Sequence, residues 1–235
     1  MKRESKSNIP KAPKSPVNYA NMLKFRLTES QQVMLEKILN NKITTVTGPA
    51  GSAKTFVSCY AALQLLSENK IKKIILTKPI KEAGESLGFL PGSIEDKINP
   101  YMESFIVVMN KLIGDEAVKM LIQHEVIEMK PLAYLRGVTL ENSLMMMDES
   151  QNCDFRTMML YVTRLGKGTK MILAGDVSQY DIERKKVKFP DFIKMLDGIK
   201  GVVSHEFFRD DIVRDKILIE ITDRYEEYRK LNNLD

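Results

Sequence analysis

The chain has 235 residues, 43% of them hydrophobic and 29% charged, a composition typical of a globular protein that buries a sizeable core. Its formal net charge is +5, and the first eighteen residues, with five basic side chains against one acidic, carry +4 of it. The rest of the chain is therefore close to neutral, so its bulk charge does not predict a nucleic-acid surface.

The same composition argues against two other classes of protein. No apolar run approaches the roughly twenty residues that cross a bilayer, and the N-terminus lacks the apolar segment of a signal peptide. The two cysteines, Cys59 and Cys153, do not have the spacing of metal ligands, so we interpret them as reduced thiols. We therefore expect a cytoplasmic protein with no membrane partner.

Residues 1–20 differ from the rest of the chain, because they carry Lys, Ser, Pro and Asn with few large apolar side chains. Such a segment cannot bury enough surface to offset the entropy of ordering it, which predicts a basic, flexible tail. A second interpretation is an electrostatic arm for phosphate backbones or a neighbouring subunit. Residues 21–235 are predicted to form a single domain.

The first predicted helix starts after Thr28, with Gln31 at its third position, which is the pattern of a capping box. The side-chain amide of Gln31 both donates and accepts hydrogen bonds, so it is a candidate for reading adenine just ahead of a phosphate loop. A surface glutamine without a role in binding is the alternative.

Residues 42–55 predict a strand, a loop of small residues and the start of a helix, which is the order that a phosphate-binding loop requires. Lys54 would contact phosphate oxygens and Thr55 would supply a hydroxyl to Mg²⁺. The second glycine of the phosphate-loop pattern is replaced by Ala53, for which we expect right-handed helical dihedrals. The candidate nucleotide-binding residues are Gly48, Pro49, Ala50, Gly51, Ser52, Ala53, Lys54 and Thr55.

The remaining segments alternate between buried strands and amphipathic helices. Strands are predicted at residues 71–77, 126–130, 144–148, 170–174 and 201–204, and helices at 56–66, 93–111, 114–123, 155–165, 189–196 and 211–231. Continuous apolar runs such as residues 144–147 belong to strands buried on both faces. The sequence therefore predicts an α/β fold of three layers with a mostly parallel central sheet.

Carboxylates and an amide follow two of these strands. Asp148 is expected to hold Mg²⁺ with Thr55, and Glu149 to polarise the attacking water. Gln179, after a later strand, is a candidate sensor of the γ-phosphate. The alternatives are an exposed acidic pair and a plain polar turn.

Arginines are candidates for the cation that stabilises charge on transferring phosphate, because a guanidinium spreads its charge over several oxygens. Arg136, Arg209 and Arg214 lie in segments that could reach the site. The sequence leaves open which of them acts, and whether it acts in its own subunit or a neighbour's.

Together, these motifs resemble the PhoH family of P-loop ATPases. The resemblance extends over about residues 27–225 and depends on the motifs at 48–55, 78–92, 132–140, 148–152 and 175–179. It implies a RecA-like fold similar to the core of superfamily I helicases, and it implies ATP and Mg²⁺ as ligands. It also implies a role in RNA or single-stranded nucleic-acid metabolism, a link to phosphate starvation and a homo-oligomeric ring, possibly a hexamer. Compact members of the family occur in phages, so a phage origin and a location in the host cytoplasm are further expectations.

The resemblance also implies roles for single residues. Gln31 falls on the adenine-reading glutamine, Asp148 and Glu149 on the acidic pair, and Gln179 and Arg214 on the sensor and a characteristic arginine. The chain departs from the family pattern at Ala53, usually glycine, and at Lys78, usually arginine. These departures put the rate of hydrolysis in doubt more than nucleotide binding.

Three functions remain open on the sequence alone. The first is an ATPase that works on RNA or single-stranded DNA as an oligomer. The second is a nucleotide-gated protein-interaction module with slow or no turnover, which Ala53 favours. The third is a small-molecule kinase, which the acidic pair and separate sensor strand disfavour.

Overall fold

The computed structural model describes residues 17–79, 94–177, 188–213 and 216–232. The helices are α1 (Glu29–Asn40), α2 (Lys54–Ser67), α3 (Ile94–Ile113), α4 (Asp115–Gln123), α5 (Phe155–Val162), α6 (Phe189–Leu196) and α7 (Lys216–Leu231). The strands are β1 (Ile43–Thr47), β2 (Lys73–Thr77), β3 (Ile127–Met129), β4 (Ser143–Met147), β5 (Lys170–Gly175) and β6 (Val202–Glu206). The alternation predicted from the apolar runs is confirmed, with ends that shift by a few residues.

The six strands form one sheet in the order β3-β2-β4-β5-β1-β6, and each recorded strand pair is parallel. An α-helix or a pair of helices joins each two consecutive strands except β3 and β4, which are not neighbours in the sheet and are joined through a 3-10 turn at Leu132–Leu135. Strand β5 lies between β1 and β4, so the carboxyl ends of these three strands share one edge of the sheet. Open α/β sheets bind their ligands at this edge.

Helices cover both faces of the sheet, because successive strand residues point to opposite sides. In β2, Ile74 and Leu76 belong to one core cluster and Ile75 to the other. The first cluster joins the sheet to α1, α2, α3 and α4, and the second joins it to α5 and α6. The result is the predicted three-layer fold with buried strands.

Two N-terminal segments lead the chain into this core. Thr28 and Gln31 form the predicted capping box at the start of α1. Tyr19, which the sequence places in the tail, begins a short 3-10 helix and packs against the core, where Met22 is buried. The limits of the tail and of the single domain stay predictions.

The last helix starts later than the apolar pattern indicated. Residues Arg209–Asp211 form a separate 3-10 turn, in which Asp211 accepts a hydrogen bond from the Phe208 backbone N–H. The described part of α7 therefore begins at Lys216 instead of residue 211. Within the described ranges, no helix combines the length and the apolar character that crossing a bilayer demands.

Candidate nucleotide site

The first strand-to-helix junction runs from β1 through a loop of small residues into α2. Gly48 directly follows the strand with φ of +149°, and a Cβ built there would stand 2.6 Å from Phe207 Cβ. A glycine is thus required for the loop to pass β6 at this distance. Ser52, fully buried, donates its hydroxyl to the Pro49 carbonyl at 2.8 Å and closes the loop on itself.

Ala53 corrects one expectation from the sequence. It adopts the left-handed conformation, with φ 67° and ψ 24°, where right-handed dihedrals were expected. A Cβ in this region costs about 1–2 kcal/mol, which is why the position favours glycine. The alanine is tolerated because the loop and α2 fix the backbone around it, and the departure from the phosphate-loop pattern is a source of strain.

Lys54 lies at the mouth of the loop, as the pattern predicts. Its ammonium donates to the carbonyl oxygens of Gly48 at 2.7 Å and Pro49 at 2.9 Å. These contacts hold the positive charge beside the first turn of α2, where the helix dipole also favours an anion. The loop therefore presents a fixed cation and a helix N-terminus to the same space.

The second junction follows β4 and meets the first one directly. The Thr55 hydroxyl donates to Asp148 Oδ2 at 2.8 Å, although 93 positions separate the two residues. Asp148 is 6% exposed, and its charge is balanced by Lys78, whose ammonium lies 3.9 Å from the same oxygen. Lys78 also donates to the Ser104 hydroxyl of α3 at 2.8 Å.

Glu149 comes next and is exposed, with a left-handed backbone at φ 58°. Glu149 exposes its side chain, whereas Asp148 stays buried. The Glu149 carboxylate accepts a hydrogen bond from Gln151 at 2.6 Å. Adjacent acidic residues thereby occupy a buried and an exposed position.

The two junctions line one cleft of about 400 Å³. The first junction contributes Ala50, Gly51, Ala53, Lys54, Thr55 and Phe56, and the ends of β4 and β5 contribute Asp148, Glu149 and Asp176. Val108 and Lys111 of α3 and Val213 ahead of α7 complete the described lining. Five segments of the chain therefore converge on a cleft suited to a phosphorylated ligand.

The thiol of Cys59 is buried, and the charge of Asp148 influences it. Burial raises the pKa of Cys59 well above its usual value, the Asp148 charge raises it further, and Lys78 opposes both. Burial likewise raises the pKa of Cys153 to about 12. Both thiols are therefore protonated and unreactive at neutral pH, which agrees with their interpretation as reduced cysteines.

Several predicted residues lie away from the cleft or outside the described chain. Gln31 is buried, and its side-chain oxygen accepts the Thr28 backbone N–H at 3.2 Å, so the capping box already uses part of its amide. Arg209 pairs with Asp223 of α7, and neither it nor Arg136 lines the described cleft. Gln179, Arg214 and residues 80–92 of the family motif lie outside the described residues.

Sequence reasoning missed three residues that the structure brings to the site. Lys111 lines the cleft from α3, and its ammonium lies 5.6 Å from the centre of the Phe25 ring. Asp176 lines the cleft from the end of β5, and Gln151 contacts both Asp176 and Glu149. Gln151 and Asp176 had a signal in the sequence, since they belong to the motifs at 148–152 and 175–179, whereas Lys111 lies in none of the motifs.

The oxygen atoms at the point where the two junctions meet suit Mg²⁺. A hydroxyl and a carboxylate oxygen converge at Thr55 and Asp148, and Mg²⁺ takes one or two such protein oxygens and completes its shell with water and phosphate. Within the described ranges, no cluster of three or more His, Cys, Asp or Glu side chains could hold a metal alone. The residues therefore fit a magnesium ion that binds together with a nucleotide.

Comparison with known proteins agrees with this geometry. The PhoH-like protein family matches residues 25–226. A PhoH-like protein from Bacillus subtilis strain 168 is 39% identical over 202 residues, which are 85% of this chain and 63% of that protein. Protein PhoH from Escherichia coli K12 is 33% identical over 189 residues, which are 79% of this chain and 53% of the relative. The chain thus spans less than two thirds of these relatives.

Solved structures share the fold at low sequence identity. The large terminase from a thermophilic bacteriophage matches with a TM-score of 0.55 and 12% identity over 86% of this chain and 50% of the terminase. The same terminase in complex with ADP matches with a TM-score of 0.51 and 12% identity, over 86% of this chain and 50% of that one. The parallel sheet with its phosphate loop is a RecA-like P-loop fold, and the chain belongs to the PhoH-like protein family.

Proposed function

We propose that this protein binds ATP with Mg²⁺ and hydrolyses it, and that an oligomer couples hydrolysis to remodelling of RNA or single-stranded nucleic acid. The observation that carries the proposal is the 2.8 Å contact between Thr55 of the phosphate loop and Asp148 of the acidic pair. This contact supports the proposal, because a P-loop ATPase needs the hydroxyl after its phosphate loop and the carboxylate of its acidic strand end close to the same triphosphate.

The residues of the cleft divide the chemistry among them. The loop at 48–53 and Lys54 hold the phosphates, and Thr55 and Asp148 hold Mg²⁺, which supplies charge neutralisation when it is bound. Glu149 orients the attacking water and accepts its proton, for which its exposed carboxylate at the cleft is suited. By the family resemblance, Gln31 reads adenine, Gln179 senses the γ-phosphate and Arg214 supplies the transition-state cation.

The nucleic-acid and oligomer parts of the proposal depend on the family resemblance. A superfamily I helicase ordinarily uses two RecA-like lobes, and the described strands form one sheet with one phosphate loop. We propose that a neighbouring copy supplies the opposing face, as in a ring. An arginine could then reach the cleft from that neighbour.

A nucleotide-gated protein-interaction module is the second candidate, and two observations favour it. Ala53 strains the phosphate loop, which is compatible with slow turnover. Helix α7 exposes apolar side chains at helical spacing, namely Ile221, Tyr225 and Tyr228, each about three-fifths exposed. A bound nucleotide could order this part of the chain for a protein partner.

Steady-state ATPase assays with and without single-stranded RNA and DNA, combined with the mass in solution, test the proposal. We expect Mg²⁺-dependent turnover that nucleic acid stimulates, in a species larger than a monomer, and little turnover in Glu149→Gln. A strict monomer whose turnover ignores both polymers would contradict the motor function. ATP binding with no turnover above that of Glu149→Gln would favour the interaction module.

A further inference from the structure

Gln151 joins the carboxyl ends of two strands through one buried side chain. It lies in the 3-10 turn Ser150–Asn152 after β4 and is 1% exposed. Its Nε2 donates to Glu149 Oε2 at 2.6 Å, and its Oε1 accepts the backbone N–H of Asp176 at 2.9 Å. A single amide thus contacts the carboxylate after β4 and the backbone after β5.

The two contacts fix the orientation of this amide. The Asp176 N–H can only donate, so the amide oxygen must face it and the NH₂ group must face Glu149. A glutamate at this position would place an oxygen against the Glu149 carboxylate, and an alanine would leave both partners without the bond. The site therefore selects a side chain that donates at one end and accepts at the other.

The packing around Gln151 leaves it little freedom to move. A Cβ built on Gly175 would stand 2.6 Å from Gln151 Oε1 and 2.9 Å from Phe189 Cε1. The Ser150 hydroxyl donates to the Met147 carbonyl at 3.2 Å and fixes the turn that carries Gln151. The glycine at the end of β5 is thus the space into which Gln151 fits.

We propose that Gln151 is a positioning residue, which orients the Glu149 carboxylate for the attacking water and links that orientation to Asp176. Both Glu149 and Asp176 line the nucleotide cleft, whereas Gln151 acts on it only through them. A ligand that shifts the end of β5 would then reorient Glu149. The inference depends on the proposed function, because it assigns Gln151 a task in hydrolysis.

Kinetics of Gln151→Ala and Gln151→Glu test this role. We expect kcat to fall by about 10- to 100-fold, the loss typical of a misplaced catalytic group, with the Kd for ATP changed less than about twofold. Gly175→Ala should reduce kcat by displacing the same amide. Gln64→Ala is the matched control, since Gln64 donates to Glu68 at 2.9 Å on the outer surface of α2, and it should leave kcat unchanged.

A double-mutant cycle separates positioning from a general loss of stability. If Gln151 acts through Glu149, adding Gln151→Ala to Glu149→Gln costs no further activity. Wild-type kcat in both Gln151 variants, or the same fold loss with and without Glu149, would overturn the inference. A wild-type protein that fails to hydrolyse ATP would instead overturn the proposed function. Gln151→Glu keeps the side-chain volume, and thermal unfolding reports whether each variant is folded.

Discussion

The two strand-to-helix junctions of the cleft both contain a non-glycine residue with a left-handed backbone, and they differ in which side chain this backbone presents to the cleft. Ala53 after β1 and Glu149 after β4 both adopt left-handed conformations, with φ of 67° and 58°, although neither is glycine. The conformation of Glu149 carries a polar side chain to the cleft, whereas the methyl group of Ala53 adds no polar group to it. The left-handed backbone thus serves the proposed chemistry at Glu149, whereas at Ala53 it only costs stability.

Glycine in place of Glu149, at the junction after β4, should reduce turnover most. Glu149→Gly relieves the left-handed backbone but removes the carboxylate, so we expect kcat to fall by about 100- to 10,000-fold. Relief of the backbone strain should stabilise this variant and loss of the Gln151 contact should destabilise it, so the thermal midpoint of unfolding should change little. Glu149→Gln, which keeps the side chain's shape, should lose similar activity. A Glu149→Gly variant with more than about a tenth of wild-type kcat would show that the strain at this junction serves no catalytic purpose.

The contact between the junctions offers the next largest effect. Thr55→Val keeps the shape of the side chain but removes the hydroxyl that contacts Asp148. We expect about a 100-fold loss of kcat/KM, because the junctions would no longer share a metal site. Thr55→Ser retains the hydroxyl and should retain most activity. Turnover measured over a range of Mg²⁺ concentrations shows whether the lost activity comes from weaker Mg²⁺ binding. An unchanged Mg²⁺ dependence in Thr55→Val would show that the Thr55 hydroxyl does not contribute to the metal site.

Lys111 reaches the cleft from α3 and belongs to neither junction. Lys111→Ala should weaken ATP binding by about tenfold, the size expected for one lost contact to a charged phosphate, and should leave kcat at saturation unchanged. Lys119→Ala is the control, since Lys119 pairs with Asp115 on the exposed face of α4. Titrations with a fluorescent ATP analogue measure the nucleotide affinity of both variants. Equal affinities in the two would exclude Lys111 from the binding site.

The smallest effect is expected for glycine at the first junction. Ala53→Gly removes a left-handed penalty of about 1–2 kcal/mol and adds about 0.5–1 kcal/mol of backbone entropy, so the net gain is small. The thermal midpoint should rise by about 2 °C in a protein of this size. ATP affinity should improve a few-fold as the loop relaxes. A lower midpoint, measured by differential scanning calorimetry, would mean that Ala53 makes packing contacts that outweigh its strain.

Local patterns of residues were sufficient to predict most of the architecture. The apolar run that forms β4 is buried at each position, and the Thr28 cap begins α1 as expected. The pairing of Thr55 with Asp148 was also predictable, since a phosphate loop and an acidic strand end have complementary chemistry. The apolar patterns and the chemistry of each motif can be recognised without knowing the order of the strands in the sheet.

The features that escaped prediction depend on contacts between distant segments. The left-handed Ala53 follows from how the loop closes over Pro49 and meets α2, which its residue type does not encode. Lys111 reaches the cleft because α3 packs beside α2 and Phe25 lies within contact of its ammonium. The contact of Gln151 with Asp176 exists because β5 lies between β1 and β4, an order that periodicity does not reveal.

We propose that the phosphate loop and the acidic pair bind one Mg²⁺-nucleotide together. Isothermal titration of ATP into wild-type protein, Lys54→Ala and Asp148→Asn, with and without Mg²⁺, tests whether the two segments share one ligand. We expect saturable binding that Mg²⁺ strengthens in the wild type, no binding in Lys54→Ala, and binding that no longer responds to Mg²⁺ in Asp148→Asn. Equal, Mg²⁺-responsive binding in all three proteins would contradict it.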